Sequence, residues 1–306
     1  MPFPYLLLPK LIKYEVLQRL DTVDFVYFSL ISSKTKAIAK LSCKKIDSLS
    51  WGFRGPGYGI IVESPKDSFC SLRVPVWPKD IPVLAKLNQE LVESCSGPIY
   101  LCFGSYYLSE ADKRKLFKQL NDLVFDIFKV KECGFLGNIF RYKDLVSKYT
   151  KKLERLIIDE IDIQPELSNV LEEFGVEELD VEPTETPLIS PLNVPLKVKN
   201  LKCANLKWLT MECFWSMDCE KLTLDAGCLQ IDQLNELIKR WIAGGWQNLK
   251  EFKIRLWPED ADLVRIFEDI ETDQNDDDSY TVQREDGTSA RIAVEEEIGF
   301  VMKSDR

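Results

Sequence analysis

The sequence contains no histidine, which removes the commonest catalytic base and the usual zinc ligand. Without histidine, no serine–histidine or cysteine–histidine nucleophile pair can form. The carboxylate-rich stretches lack the glycine-punctuated ligand spacing of a calcium loop. We therefore predict a protein that is not an enzyme and that has no catalytic residue, no metal and no cofactor.

Long apolar runs are also missing, since no stretch approaches the roughly 20 apolar residues of a membrane span. The N-terminus has no basic lead of the kind that begins a signal peptide. The nine cysteines are odd in number and form no C-x-x-C pair, which argues against a disulfide framework. These features predict a cytoplasmic and/or nuclear protein with reduced thiols and no membrane partner.

Acidic residues exceed basic ones, so the net charge is -10 and the isoelectric point is near 4.9. Sequence-independent binding of nucleic acid needs a basic surface that displaces counterions from phosphates. We therefore predict no nucleic-acid partner. With 306 residues, 45% of them hydrophobic, the chain can form a large core in one to three domains.

The first 45 residues show the spacing of three short helices. One apolar stripe steps by fours through Leu8, Ile12, Val16 and Leu20. Pro9 suits the first turn of this helix, Asp21 can cap the second helix, and Ser32 or Ser33 can cap the third. Chains below about 40 residues rarely bury enough apolar surface to fold alone. We therefore expect these helices to bury part of their apolar surface against something else.

A more specific pattern runs through the same segment without a gap. Its members, in order, are Leu8-Pro9, Ile12, Val16-Leu17, Leu20, Asp24-Phe25, Phe28-Ser29 and Ser32-Ser33-Lys34. This order resembles the F-box, a three-helix module that binds a Skp-family adaptor and so joins its chain to a cullin scaffold. The adaptor-binding residues that the resemblance implies are Leu8, Pro9, Leu11, Ile12, Val16, Leu17, Leu20, Phe25, Phe28, Leu30 and Lys34. The alternative is an ordinary helical cap on the rest of the chain.

The remainder of the chain predicts a repeated α/β unit. Residues 46–59 are rich in glycine and predict a linker loop, and residues 71–77 predict a short edge strand. Beyond residue 82, predicted helices cover 83–94, 110–123, 144–153, 165–174 and 232–243, and predicted strands cover 99–103, 127–130, 156–158, 176–181, 222–224 and 249–254. A repeat of about 20 to 30 residues favours parallel strands in an irregular leucine-rich-repeat-like solenoid. A single mixed α/β domain is the alternative.

Near the C-terminus, two alternating segments at 280–284 and 290–294 flank Asp286-Gly287. This pattern is a strong signal for a β-hairpin, which could cover the open edge of the repeat stack. The acidic residues of 268–278 before it predict a solvated loop.

A second resemblance lies between about residues 206 and 256. It is carried by the aromatic- and cysteine-rich stretch 208–224, by the Leu-Asn-containing helix and glycine stop of 229–245, and by the strand at 249–254. These segments resemble the type-2 F-box-associated domain of the expanded nematode F-box families.

The two resemblances together imply an F-box at 1–45, a linker at 46–59 and an α/β repeat-like domain at 60–306. Such a protein is a substrate-recognition adaptor of an SCF-type ubiquitin ligase, with an unidentified protein substrate. The alternative is a repeat-type interaction scaffold with a helical N-terminal cap and no ligase link.

Overall fold

The chain has a mixed α/β structure, as the sequence predicts, in two units of residues 1–153 and 154–306. The computed structural model describes residues 8–53, 57–63, 70–72, 103–104, 110–159, 165–182, 191–193, 195–225, 228–255, 263–275, 279–295 and 299–305. The predicted helix at 83–94, residues 99–102 of the next strand and the 73–77 part of the predicted edge strand lie outside these ranges. Within them, every helix is too short or too polar to cross a bilayer.

The described residues of the first unit, called unit 1, form five helices and a small sheet. Its elements are α1 (Lys10–Arg19), α2 (Thr22–Leu30), α3 (Ser33–Ser42), β1 (Lys44–Phe53), β2 (Gly57–Glu63), β3 (Cys70–Leu72), β4 (Phe103–Gly104), α4 (Glu110–Ile127), β5 (Phe128–Gly137) and α5 (Ile139–Val146). The strand order is β5-β1-β2-β3, with β4 also paired to β2. β1 runs parallel to β5 and antiparallel to β2.

The prediction that residues 46–59 form a linker loop is wrong. β1 covers the first half of this range, and β2 begins near its end. β1 pairs along both of its edges, so the sheet supplies the backbone hydrogen bonds that a loop would leave to water. Ile46, Leu49 and Trp51 are all buried. Tertiary pairing thus overrides the local preference of the glycines for a turn.

Among the described residues of unit 1, Trp51 has the largest fully buried side chain, and its polar atom is satisfied within the core. Its indole Nε1 donates to the side-chain oxygen of Asn121, 2.6 Å away, and the Asn121 amide in turn donates to the Phe117 carbonyl oxygen at 2.8 Å. Because buried indole and amide groups need partners, these two bonds fix how α4 packs against β1.

The predicted helix at 144–153 is misplaced, since α5 covers Ile139–Val146. The Asn138 side chain accepts a hydrogen bond from the Arg141 backbone N–H, which starts the helix earlier. The prediction for 110–123 followed by a strand is confirmed by α4 and β5.

The second unit, called unit 2, is built on a larger sheet. Its elements are β6 (Arg155–Asp159), α6 (Leu167–Glu173), β7 (Glu178–Glu182), β8 (Asn200–Cys203), α7 (Met211–Trp215), β9 (Lys221–Leu224), α8 (Ile231–Ile242), β10 (Glu251–Ile254), α9 (Leu263–Ile266), β11 (Asp273–Gln274), β12 (Tyr280–Gln283), β13 (Ser289–Glu295) and β14 (Gly299–Ser304). β6 to β10 are parallel neighbours in sequence order. This arrangement agrees with the prediction that the strands pair in parallel. The leucine-rich-repeat-like solenoid stays a prediction.

The C-terminal hairpin is confirmed by the antiparallel pair β12–β13, and Gly287 in its turn has φ 85°. Glycine tolerates this left-handed backbone because it has no Cβ. The sequence interpretation missed β14, the last strand. β14 pairs with β10 on one side and β13 on the other, so β14, and not the predicted hairpin, covers the edge of the parallel strands.

The Asn235 side chain on α8 forms hydrogen bonds to the end of α9 and to the segment that follows it. Its side-chain nitrogen donates to the carbonyl oxygens of Ile266 and Glu268, each at 2.9 Å, and only 8% of the residue is exposed. An apolar replacement would leave two carbonyl groups without their partner.

We predict that Asn235→Ala lowers the free energy of unfolding by about 2 kcal/mol, because one buried donor serves both carbonyl oxygens. Urea denaturation followed by far-UV circular dichroism measures the change. The matched control is Asn169→Ala on the exposed face of α6, expected to change stability by less than about 0.5 kcal/mol. Equal effects of the two substitutions would contradict the structural role of Asn235.

Candidate interaction surfaces

The three N-terminal helices begin at defined caps. Pro9 lies at the N-cap of α1, one residue before the first turn. The Asp21 carboxylate accepts the Asp24 backbone N–H of α2 at 2.7 Å, and the pKa of Asp24 is raised by partial burial and by nearby Asp21. Ser32 and Thr35 form a reciprocal capping box on α3, which settles the choice between Ser32 and Ser33.

Part of this helical segment is anchored in the core of unit 1. Leu17 and Phe25 are completely buried, and the Phe25 ring lies 5.4 Å from the ring of Phe128 on β5. The buried Lys44 donates its amine to the Leu20 carbonyl oxygen and lies over the Phe25 ring. The helices are therefore packed onto the sheet of unit 1 through a defined apolar and polar contact.

Ion pairs add a second link between α3 and α4. Lys40 and Lys36 place their amines 2.7 Å and 3.3 Å from the Asp126 carboxylate. The hydrogen bond from Lys40 and the charge of Lys36 hold the pKa of Asp126 below its usual value, although partial burial opposes them. Because these groups are partly exposed to water, we assign the ion pairs a modest contribution to stability.

The same segment also exposes large apolar side chains. Their exposed fractions are 70% for Leu11, 45% for Ile12, 72% for Ile31 and 64% for Leu41. Among the described residues, the other exposed large apolar side chain is that of Val294 in unit 2. Exposed apolar residues are ordinary when they are scattered, and four of them lie within residues 11–41, at the start of α1 and near the ends of α2 and α3.

The predicted adaptor-binding residues fall into three groups. Leu17 and Phe25 are buried and have no surface to offer a partner, so we correct their assignment to core packing. Pro9, Leu11, Ile12 and Lys34 are exposed. Half-buried positions are Leu8, Val16, Leu20, Phe28 and Leu30. The adaptor-binding role of the exposed and half-buried residues stays a prediction.

Ile31 and Leu41 are exposed residues that the sequence interpretation left out of the predicted binding set. Ile31 is the C-cap of α2, directly before the turn to α3. On α3 the buried residues are Thr35 and Ala39, four positions apart, and Leu41 falls off that stripe. Residues four positions apart lie on the same face of a helix, and Leu41 is two positions from Ala39, so the sequence spacing could have shown that Leu41 lies on another face.

A second candidate surface is the charged face of the unit 2 sheet. Successive side chains along each strand point to opposite faces of the sheet. The buried face includes Leu156, Leu179, Leu201, Leu222 and Phe252. The intervening positions carry the charged residues. Asp180, which is buried, pairs with Arg155 at 3.0 Å and Lys202 at 3.2 Å. The sheet therefore separates an apolar face from an ionic one.

Two thiols of unit 2, those of Cys203 and Cys219, are poor candidates for covalent chemistry. Burial raises the pKa of Cys219 to about 12 and raises that of Cys203 well above its usual value. A thiol in this state is protonated at neutral pH and is a weak nucleophile. Within the described ranges, no group of three or more histidine, cysteine or acidic side chains could hold a metal ion.

Comparison with known families assigns one part of the chain. A family model described as F-box associated matches residues 193–254, which contain β8, α7, β9, α8 and β10. This overlaps the predicted segment at 206–256 and confirms the F-box-associated resemblance there. No F-box is detected at the N-terminus by a family model. No curated protein and no solved structure matches the chain.

We predict stability effects of very different size for two leucines of α1. Leu17→Ala should lower the free energy of unfolding by about 2 to 5 kcal/mol, because it opens a cavity in the core. Leu11→Ala should change it by less than about 0.5 kcal/mol, since Leu11 is largely exposed. Thermal and urea denaturation of both variants measure the difference. A Leu11 variant as unstable as the Leu17 variant would show that Leu11 packs inside unit 1.

Proposed function

We propose that this protein is a substrate-recognition adaptor of an SCF-type ubiquitin ligase. The observation that carries the proposal is the F-box-associated match over residues 193–254. In this function unit 2 binds a protein substrate, and the N-terminal helices bind a Skp-family adaptor that leads to a cullin scaffold. Neither unit catalyses a reaction in this scheme, since ubiquitin transfer belongs to other components of the ligase.

The exposed apolar side chains of the N-terminal helices support the adaptor contact. Leu11 and Ile12 lie in the first turn of α1, and Ile31 and Leu41 lie near the ends of α2 and α3. Removing one such side chain from water is worth about 1.5 to 3 kcal/mol, so a few of them provide most of the energy of a stable contact. The exposed Lys34 would lie at a polar rim.

We predict that the double substitution Leu11→Glu and Ile12→Glu weakens binding of a Skp-family adaptor by roughly 100-fold. The reason is that burial of the two aliphatic side chains against the adaptor would contribute about 3 kcal/mol to binding. Both positions lie in the first turn of α1, where acidic residues favour the helix, so the fold should persist. Surface plasmon resonance with purified adaptor measures the affinity, and circular dichroism checks the fold.

The matched control is Val294→Glu, which replaces an exposed apolar residue of unit 2 with the same charged side chain. The control should bind the adaptor as the unmodified protein does. Unchanged affinity of the α1 double variant, or failure of the unmodified protein to bind any Skp-family adaptor, would refute the adaptor contact.

The second candidate is an interaction scaffold in which α1 to α3 only cap unit 1. The burial of Leu17 and Phe25 favours this alternative, because it shows that the helices are integrated into the core. Hydrogen exchange of the full chain separates the two functions. A cap should show the same amide protection on α1 with and without the adaptor, whereas a docking surface should gain protection around Leu11 and Ile12 when the adaptor is added.

A further inference from the structure

Helix α3 leaves part of its surface exposed to water. Lys34 and Leu41 are both exposed and lie seven residues apart, which is about two helical turns, so they share one side of the helix. Lys40, which is also exposed, lies next to Leu41 in the chain. The buried residues of α3, Thr35 and Ala39, lie on a different side. We call Lys34, Lys40 and Leu41 the α3 surface.

The chain around the α3 surface contains lysines and no acidic residue. Residues 25–46 hold five lysines without an aspartate or glutamate. From α4, the Asp126 carboxylate pairs with Lys36 at 3.3 Å and with Lys40 at 2.7 Å. Lys34 forms no ion pair within the described part of the chain. One carboxylate therefore serves two of the three lysines of α3, and the charge of the third is left uncompensated.

Positive charge is a property of unit 1 as a whole. Residues 8–45 contain eight basic and three acidic residues. Residues 1–153 contain 24 basic and 15 acidic residues, which gives unit 1 a net charge of +9. Residues 154–306 contain 16 basic and 35 acidic residues, so unit 2 carries a net charge of -19. The overall charge of -10 therefore arises in unit 2, and the unit that contains the α3 surface has the opposite sign.

The apolar part of the α3 surface indicates the class of partner. Leu41 is 64% exposed, and Ile31, which directly precedes the turn to α3, is 72% exposed. Aliphatic side chains gain free energy when another apolar surface covers them, whereas the contacts of a nucleic-acid backbone are polar. A helix that lies on a membrane needs a broad apolar face, and Leu41 is the exposed large apolar residue of α3. The combination of lysines with an exposed leucine fits a protein partner.

We propose that the α3 surface binds an acidic face of a partner protein. Carboxylates of the partner would pair with Lys34 and Lys40, and an apolar side chain of the partner would cover Leu41. The proposal rests on the proposed adaptor contact, since it names the charge that the docking face of the adaptor presents. Burial of apolar residues supplies affinity, whereas charges at the border of a contact mainly set the association rate and exclude partners of the wrong charge.

The test uses the full chain and a purified Skp-family adaptor, and surface plasmon resonance measures the association and dissociation rates at low and high salt. The α3 variant combines Lys34→Gln with Lys40→Gln. The matched control combines Lys115→Gln with Lys118→Gln on α4. Both control lysines are exposed, and among the described residues Lys118 has an ion-pair partner and Lys115 has none, so each variant removes one paired and one unpaired cation. Circular dichroism checks that both variants fold.

We expect the association rate of the unmodified protein to fall at least about tenfold between low and high salt, because salt screens the attraction. At low salt the α3 variant should associate at least about fivefold more slowly and should dissociate at nearly the same rate. The control variant should differ from the unmodified protein by less than about twofold. Association that is independent of salt, or an equal loss of rate in both variants, would overturn the proposal.

A peptide probe separates this proposal from the adaptor contact itself. The probe is a fluorescein-labelled helical peptide whose leucine stripe is flanked by glutamates, and its matched peptide carries glutamines in their place. Fluorescence anisotropy should show at least about tenfold tighter binding of the glutamate peptide, and the α3 variant should lose this preference. Adaptor binding without a preference for the glutamate peptide refutes only the acidic-face proposal. A preference for the glutamate peptide without adaptor binding refutes only the ligase connection.

Other occupants of the α3 surface give distinct results. Tighter binding of phosphatidylserine vesicles or of single-stranded oligothymidine than of the glutamate peptide would assign the surface to a membrane or to nucleic acid. Self-association of the chain that the α3 variant abolishes, measured by analytical ultracentrifugation, would assign the surface to the acidic unit 2 of a second copy. Each of these results would overturn the proposal.

Discussion

One row of buried side chains sets the geometry of unit 2. The row crosses neighbouring strands in register, and its members are Leu156, Leu179, Leu201, Leu222, Phe252, Met302 and Ile292. Because side chains alternate along a strand, burying this row turns the next row toward the opposite face. A shift of one residue in any strand would bury charges and expose leucines. The position of every charged residue on the ionic face follows from this apolar contact.

The N-terminal helices divide their apolar residues between two uses. Leu17 and Phe25 complete the core of unit 1, and the aromatic contact with Phe128 extends that core to β5. Leu11 and Ile31 leave most of their surface in water. Full burial of such a side chain stabilises a fold by roughly 1.5 to 3 kcal/mol, so the exposed ones represent energy that binding can still recover. A segment of this kind can fold without a partner and can still gain free energy when a partner covers its exposed apolar side chains.

The two candidate surfaces differ in physical character, and this difference suits two kinds of partner. The helical surface of unit 1 is apolar and would depend on shape and burial. The ionic face of unit 2 carries the ion pairs of Asp180 with Arg155 and Lys202 and of Glu251 with Lys253, so it would select by charge. The F-box-associated segment between residues 193 and 254 lies within unit 2.

Local features could be predicted from the sequence, since caps, periodicity and turns depend on residues close together in the chain. Asp21 and Ser32 marked two helix starts, Asp286-Gly287 marked the hairpin, and the spacing of apolar pairs located most strands of unit 2. The folded structure was needed to show that residues 46–53 form a strand, that β14 enters between β10 and β13, and that Leu17 is core whereas Leu11 is surface. These outcomes depend on which distant segment covers a side chain or pairs with a backbone edge, and the spacing of residues along one segment carries no information about that neighbour.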